Sequence, residues 1–129
     1  MRVIKVYQPP GQDSPFDIFL AQQEPKLRQK ICWTLFRMMR MELCEFKEPH
    51  FKHFALERYS PFYELREKNR VLVRVVFTVR DADILVLAPF IKKESRDTMR
   101  ALERSICMLA DVREHPDYAV NYDFKEESK

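Results

Sequence analysis

The chain has 129 residues, 46% of them apolar and 33% charged, with a formal net charge of +3. That length suits one domain able to bury a core without staples, and a lone glycine, Gly11, excludes the phosphate loops and dinucleotide fingerprints that need several close backbone approaches. Residues 111–129 hold six acids against three bases, which leaves +6 on residues 1–110, a basic bias that permits a polyanionic partner without requiring one.

Arg2 to Tyr7 alternates in polarity and reads as a first strand, broken by Gln8-Pro9-Pro10-Gly11. This charged, alternating start is not the pattern of a signal peptide, and the longest apolar runs fall far short of a membrane span. Cys32, Cys44 and Cys107 are odd in number and lack CxxC spacing, so neither a disulfide framework nor a zinc site is expected, and the expected location is cytoplasmic with no membrane partner. Ser14 followed by Pro15 predicts an N-cap and a short helix to about Gln22. Pro25 opens a second predicted helix to about Cys44, with Leu27, Ile31, Leu35, Met38 and Met39 at helical spacing. Trp33 and the methionines of this helix are expected in the core. The pair should cover one face of a sheet.

Glu45 to Ser60 is a connecting region, punctuated by Pro49 and containing a short strand at His50 to Phe54. From Phe62 to Lys93 the sequence FYELREKNRVLVRVVFTVRDADILVLAPFIKK sets three strands in a meander. Val71, Val73, Val75, Phe77 and Val79 mark the buried side of the second of these. Tyr63 and Leu65 can join them only if the loop near Lys68 and Asn69 has an odd number of residues. An even loop would drive Arg66 among the valines, at a desolvation cost of several kcal/mol. The odd register therefore holds, and it gathers Glu64, Arg66, Arg70 and Arg74 on the other face. Asp81-Ala82 is the tip of the second hairpin, and Ile84 to Phe90 is the third strand. Ser95 is predicted to cap a helix to about Arg113, with Met99, Leu102, Ile106 and Leu109 as a narrow apolar seam and Pro116 beyond its end. Residues from about 114 to 129 form an acidic tail. Its stretch Tyr118 to Phe124 either folds back onto the basic face or docks as an ordinary C-terminus, and the final KEESK should fray.

The ordered set of Pro49 with Lys52, Tyr63-Glu64-Leu65-Arg66, Arg74-Val75-Val76-Phe77 and Phe90-Ile91-Lys92-Lys93 resembles the RelE/ParE superfamily of bacterial toxins, most closely its phage-derived HigB-type branch. The resemblance is of pattern and spans most of the chain. It implies an α+β, RelE-like fold: a central, mainly antiparallel sheet with an N-terminal helical pair and a C-terminal helix. It also implies the toxin of a type II toxin-antitoxin system, a metal-independent endoribonuclease that cleaves messenger RNA on the ribosome and needs no cofactor. The implied partners are a cognate helix-turn-helix antitoxin and ribosome-bound messenger RNA, with a homodimer as a further expectation.

Transfer of a phosphodiester to the neighbouring 2′-oxygen needs a base, an acid and cations for the charge that builds on the phosphorus centre. Arginine suits the last task because its planar fork holds two phosphate oxygens and stays charged. The resemblance makes Arg66 and Arg74 the phosphate clamp and Lys52 a further catalytic cation, with Arg70, Lys92 and Lys93 binding RNA. Glu64, on the face of Arg66, is either the general base or the arginines' ion-pair partner. His50 and His53 flank Lys52 and could supply an acid, but nothing around them has metal-site spacing, and no metal is expected. Against all this, cations on a strand face also serve simply to discourage edge pairing. One departure stands out: where many relatives have histidine and glycine before the F-x-K-K segment, this chain has Ala88-Pro89. It leaves open a gyrase-poisoning, ParE-type toxin or a catalytically silent interaction module on the same scaffold.

Overall fold

A six-stranded sheet with helices on both faces organises the chain, and the computed structural model describes residues 1–124 of it. In chain order the elements are β1 (Ile4–Tyr7), α1 (Pro15–Ala21), α2 (Pro25–Met38), β2 (Phe51–His53), β3 (Phe62–Asn69), β4 (Val71–Arg80), β5 (Asp83–Lys92), α3 (Ser95–Glu114) and β6 (Ala119–Asn121). The strands lie in the order β2-β3-β4-β5-β1-β6, antiparallel throughout except where β1 runs parallel to β5. The fold is α+β and RelE-like, as expected. Expectations that the last residues, 125–129, fray fall outside the described residues.

Alternation along the strands sends side chains to two separate cores. On one face Leu65, Val73, Val75, Phe77, Ile84 and Val86 pack beneath Phe16 and Leu20 of α1 and Leu27, Ile31, Leu35 and Met38 of α2. On the other, Phe62, Val76, Leu85, Leu87, Ala88 and Phe90 pack beneath Ala101, Leu102, Leu109 and Val112 of α3. The face opposite the valine series is thus covered by α3 over most of its area.

The odd register is observed. Asn69 pairs with Val71, so Arg70 alone makes the turn, and Tyr63 and Leu65 fall opposite Phe77 and Val75. Arg70 therefore does not stand on the strand face beside Arg66 and Arg74, as expected; it sits at the tip with φ of 68° and is exposed, because the turn itself needs a left-handed residue there. The second hairpin turns on Asp81 and Ala82 as expected, both at positive φ (53° and 71°), which is the geometry of a two-residue turn matched to strand twist. Between β4 and β5 the pairing slips. Val75 faces Pro89 but Phe77 faces Val86, so Val76 opposes both Leu87 and Ala88 in a β-bulge.

Ser14 caps α1 by accepting the Asp17 amide at 3.0 Å. α2 stops at Met38 rather than near Cys44, and a turn then leads to a separate 3₁₀ turn at Leu43–Glu45. Trp33 is 60% exposed, not core, because it projects almost opposite the Ile31 and Leu35 stripe. Ser95 is the first residue of α3; the N-cap is Glu94, which exchanges side-chain and backbone hydrogen bonds with Asp97. The buried stripe of α3 is Ala101, Leu102, Ser105, Leu109 and Val112, with Met99 47% exposed and Ile106 only partly covered. Small residues at 101 and 105 let the helix lie close on the strands, so its contact line runs beside the predicted seam. The described part of the tail, up to Phe124, does not reach the basic face. It forms β6 on the opposite edge, paired with β1, and Tyr122 and Phe124 pack against the core under α1 and α2. Cys32, Cys44 and Cys107 are not joined in a disulfide, and no described helix is long and apolar enough to cross a membrane.

Candidate active site

Three neighbouring strands deliver cations to one place on the α3 face. Lys52 on β2 lies opposite Glu64 on β3, and Arg66 on β3 lies opposite Arg74 on β4. Two register rows nearer the hairpin tip, and so on the same face, Leu72 pairs with both Lys68 and Lys92. Two arginines directly across a strand pair repel. Glu64 supplies the countercharge: its Oε1 accepts from Arg66 Nε at 3.1 Å and stands 3.7 Å from Arg74 Nε.

Depth separates the three. Glu64 is 2% exposed, the Arg74 side chain 11% and the Arg66 side chain 23%. Burial holds the Arg74 guanidinium below its ordinary pKa and the nearby Arg66 adds to this, while Glu64 pulls the other way. Arg74 Nη1 donates to the Val73 carbonyl at 3.2 Å, and Arg66 Nη1 reaches outward to Glu48 at 3.6 Å. Among the described residues, Glu64 Oε2, Arg74 Nε and Thr98 Oγ1 are buried without a hydrogen-bond partner, a concentration of unmet polar atoms that native cores rarely hold away from functional sites.

Above this cluster opens a cleft of about 430 Å³, lined by Lys52, Glu64, Arg66, Lys92 and Arg96 with Tyr59, Ser95 and Thr98, and floored by Phe54, Leu56, Met99 and Leu102. A larger hollow of about 900 Å³ lies between Met1, Arg2, residues 39–44 and Ala82, but its lining is mostly apolar and it gathers no comparable set of charges. Chemistry rather than volume therefore singles out the smaller cleft. Lys52 Nζ sits 5.3 Å from the centre of the Phe54 ring, a cation–π contact that restrains the ammonium at the wall. Tyr59 donates its hydroxyl to Glu103 Oε2 at 2.6 Å, and Arg58 grips the same carboxylate through two nitrogens at 2.9 and 2.6 Å. The pair of donors holds Glu103 down at about 2, and its carboxylate in turn holds the Tyr59 phenol above its ordinary range. This triangle ties the chain before β3 to α3 and fixes one wall.

The structure brings together Arg66, Arg74, Glu64, Lys52 and Lys92. Arg70 lies apart at the hairpin tip, and Lys93 is exposed beyond the cleft, its backbone N–H donating to Asp97 at 2.8 Å. His53 faces the other side of the sheet, its ring stacked 4.5 Å from that of Tyr63 and its Nε2 bonded to the Ser60 carbonyl at 2.7 Å. His50 is exposed, and its carbonyl accepts from the Arg66 amide at 2.8 Å. Ala88 is fully buried under α3. Several cleft residues escaped the reading of the sequence, among them Tyr59, Arg96 and Thr98. Arg96 left a signal: a cation in the first turn of a helix opposes the macrodipole and has to be kept there by something else, here a 2.6 Å pair with Glu94.

Compared with families of known proteins, residues 18–109 match the model of the Phage derived protein Gp49-like family (DUF891). The chain belongs to this family. Gp49-like proteins are phage-derived and related to the RelE-type toxins, in keeping with the fold described above. Every cleft residue named for this Gp49-like protein lies within the matched span. Neither the curated proteins nor the solved structures include a match to the chain.

Proposed function

We propose that this Gp49-like protein is the toxin of a type II toxin-antitoxin pair, held in check by a cognate helix-turn-helix antitoxin, and that it cleaves messenger RNA on the ribosome. The observation that carries this reading is the convergence of Arg66, Lys52 and Lys92 from three strands on one cleft, over a buried Glu64–Arg74 pair. In the proposed step a ribose 2′-oxygen attacks the adjacent phosphorus, the bond to the 5′-oxygen breaks, and the products carry a 2′,3′-cyclic phosphate and a 5′-hydroxyl. Charge accumulates on the non-bridging oxygens at the transition state. Arg66 is the clamp for them, and Lys52 and Lys92 flank it. Glu64 and Arg74 act from beneath as positioning residues. Glu64 reaches the cleft wall and Arg74 lies behind it, and their charges orient the Arg66 fork.

Mapping new 5′ ends on cellular messages after expression tests the reading. In-frame cuts within translated codons, with 5′-hydroxyl ends, absent for Arg66→Ala at matched soluble levels, are the expected result. A second reading has its own support: Glu64 is buried, the Tyr59 hydroxyl is committed to Glu103 and no histidine lines the cleft, so proton transfer has few candidates. That favours a ParE-type protein-binding toxin that poisons gyrase. Intact messages with accumulating double-strand DNA breaks would establish it instead.

A further inference from the structure

The side of the molecule away from the cleft is also basic. Residues 25–40 contain five bases and no acid. Along the outward face of α2 and the turn after it, Lys26, Lys30, Trp33, Phe36, Arg37 and Arg40 follow one another at helical spacing, and all are exposed. Trp33 and Phe36 stack with ring centres 5.9 Å apart and planes within 19°, and the Arg40 guanidinium lies 5.5 Å from the Phe36 centre. A tryptophan exposed by 60% costs solvation without return to the fold.

Two occupants could use such a face, and the pattern discriminates between them. A docking peptide helix needs a row of apolar anchors. On α2 the only large apolar side chains that stand exposed are these two aromatics, and cations fill the neighbouring outward positions. Flat π-surfaces set among cations are what unpaired bases and their phosphates require. The stripe runs for about 20 Å, from Lys26 to Arg40 at the helical rise. It also leads somewhere: Lys30 Nζ donates to the Lys68 carbonyl at 3.1 Å at the end of β3, beside Arg70 at the tip. From Lys68 the register row through Leu72 crosses to Lys92 at the mouth of the cleft.

We propose that the outward face of α2 binds single-stranded RNA, with Trp33 stacking on a base and the flanking cations following the phosphates, and that this track continues around the β3–β4 turn to the cleft. The proposal rests on the RNA-cleaving reading for its partner and adds a second, non-catalytic contact to it.

Trp33 is the sole tryptophan, so its emission reports occupancy directly. The full chain, made by cell-free synthesis, is titrated with a ten-nucleotide oligouridylate. Saturable quenching of Trp33 emission is expected. By anisotropy of labelled oligonucleotide, Trp33→Ala should weaken binding about tenfold, within the contribution of one stacked base, and Arg37→Glu should weaken it and flatten its salt dependence. Binding with no change in Trp33 emission, or unchanged affinity in both variants, overturns the proposal by confining RNA to the cleft. Equal quenching by inorganic polyphosphate overturns it by removing the stacked base. An emission shift that follows protein concentration without RNA overturns it in favour of a second copy of the chain. Messages cut as usual without quenching would sink the α2 track alone, whereas quenching without cut messages would sink the cleavage reading alone.

Discussion

Glu64 shows how one buried side chain can hold a cluster of cations together. Its buried carboxylate is shared between two guanidiniums at different depths. Glu64→Gln leaves the nearly buried Arg74 without a countercharge and Arg66 with Glu48 alone, and a loss of about 3 kcal/mol in urea unfolding is expected, at the lower end for breaking a buried pair. Arg66→Ala should lose function with the smaller loss of stability: growth arrest disappears at matched soluble levels, while unfolding costs less than in Glu64→Gln because Glu64 keeps Arg74 as its countercharge. Arg74→Ala, by contrast, should lose both, because the side chain it removes is nearly buried. The facing of these residues was legible in the sequence because the ionic cost of the wrong register decided it. Their depth was not, since it depends on how closely α3 lies on the sheet, and that is set by Ala101 and Ser105 far along the chain.

Among the elements, local chemistry read well wherever a boundary was written in one or two residues. Ser14 before Pro15 starts α1 as expected, and Ser14→Ala should cost about 1 kcal/mol in thermal unfolding. α2 carries no glycine or proline at its end, so no residue announced its stop at Met38. Trp33 was misread for hydrophobicity against phase, although its position opposite Ile31 was available from the helical period. α3 is tied to β1 by Tyr7, whose hydroxyl donates to Asp111 at 2.6 Å. Burial and that carboxylate push the Tyr7 phenol from 10 up to about 12. A pKa raised on folding stabilises fully below the unfolded value and is lost as pH rises through the folded one. The urea midpoint should therefore fall between pH 10 and pH 12 in the wild type, and this component of the fall should vanish in Tyr7→Phe.

For the whole molecule, the order of strand motifs was enough to anticipate the sheet, the helical pair on one face and the final helix. What the order could not reveal is the far edge. β6 pairs with β1 across nearly the full length of the chain, and no local pattern in a three-residue strand announces so distant a partner. Its consequence is a molecule with short strands, β2 and β6, at both edges, where a long exposed edge would invite further pairing. If RNA runs through the cleft, binding should weaken steeply with salt, and Arg66→Ala should flatten the log–log slope by roughly 0.7 for the single-strand phosphate contact removed.

The irregularity at Val76 works as a phase switch for everything downstream of it on β5. Ahead of it Leu85 and Leu87 turn to α3; after it Ala88, Phe90 and Lys92 do. A strictly alternating strand would have sent Lys93 to the cleft and turned Lys92 to the helical pair. Inserting a single residue after Ala88 should therefore do what no substitution can. It would rotate residues 89–92 by half a pleat, withdraw one ammonium from the cleft and offer the α1–α2 core a charge it cannot accommodate, so that the lengthened chain should unfold at markedly lower urea than any single variant of Lys92.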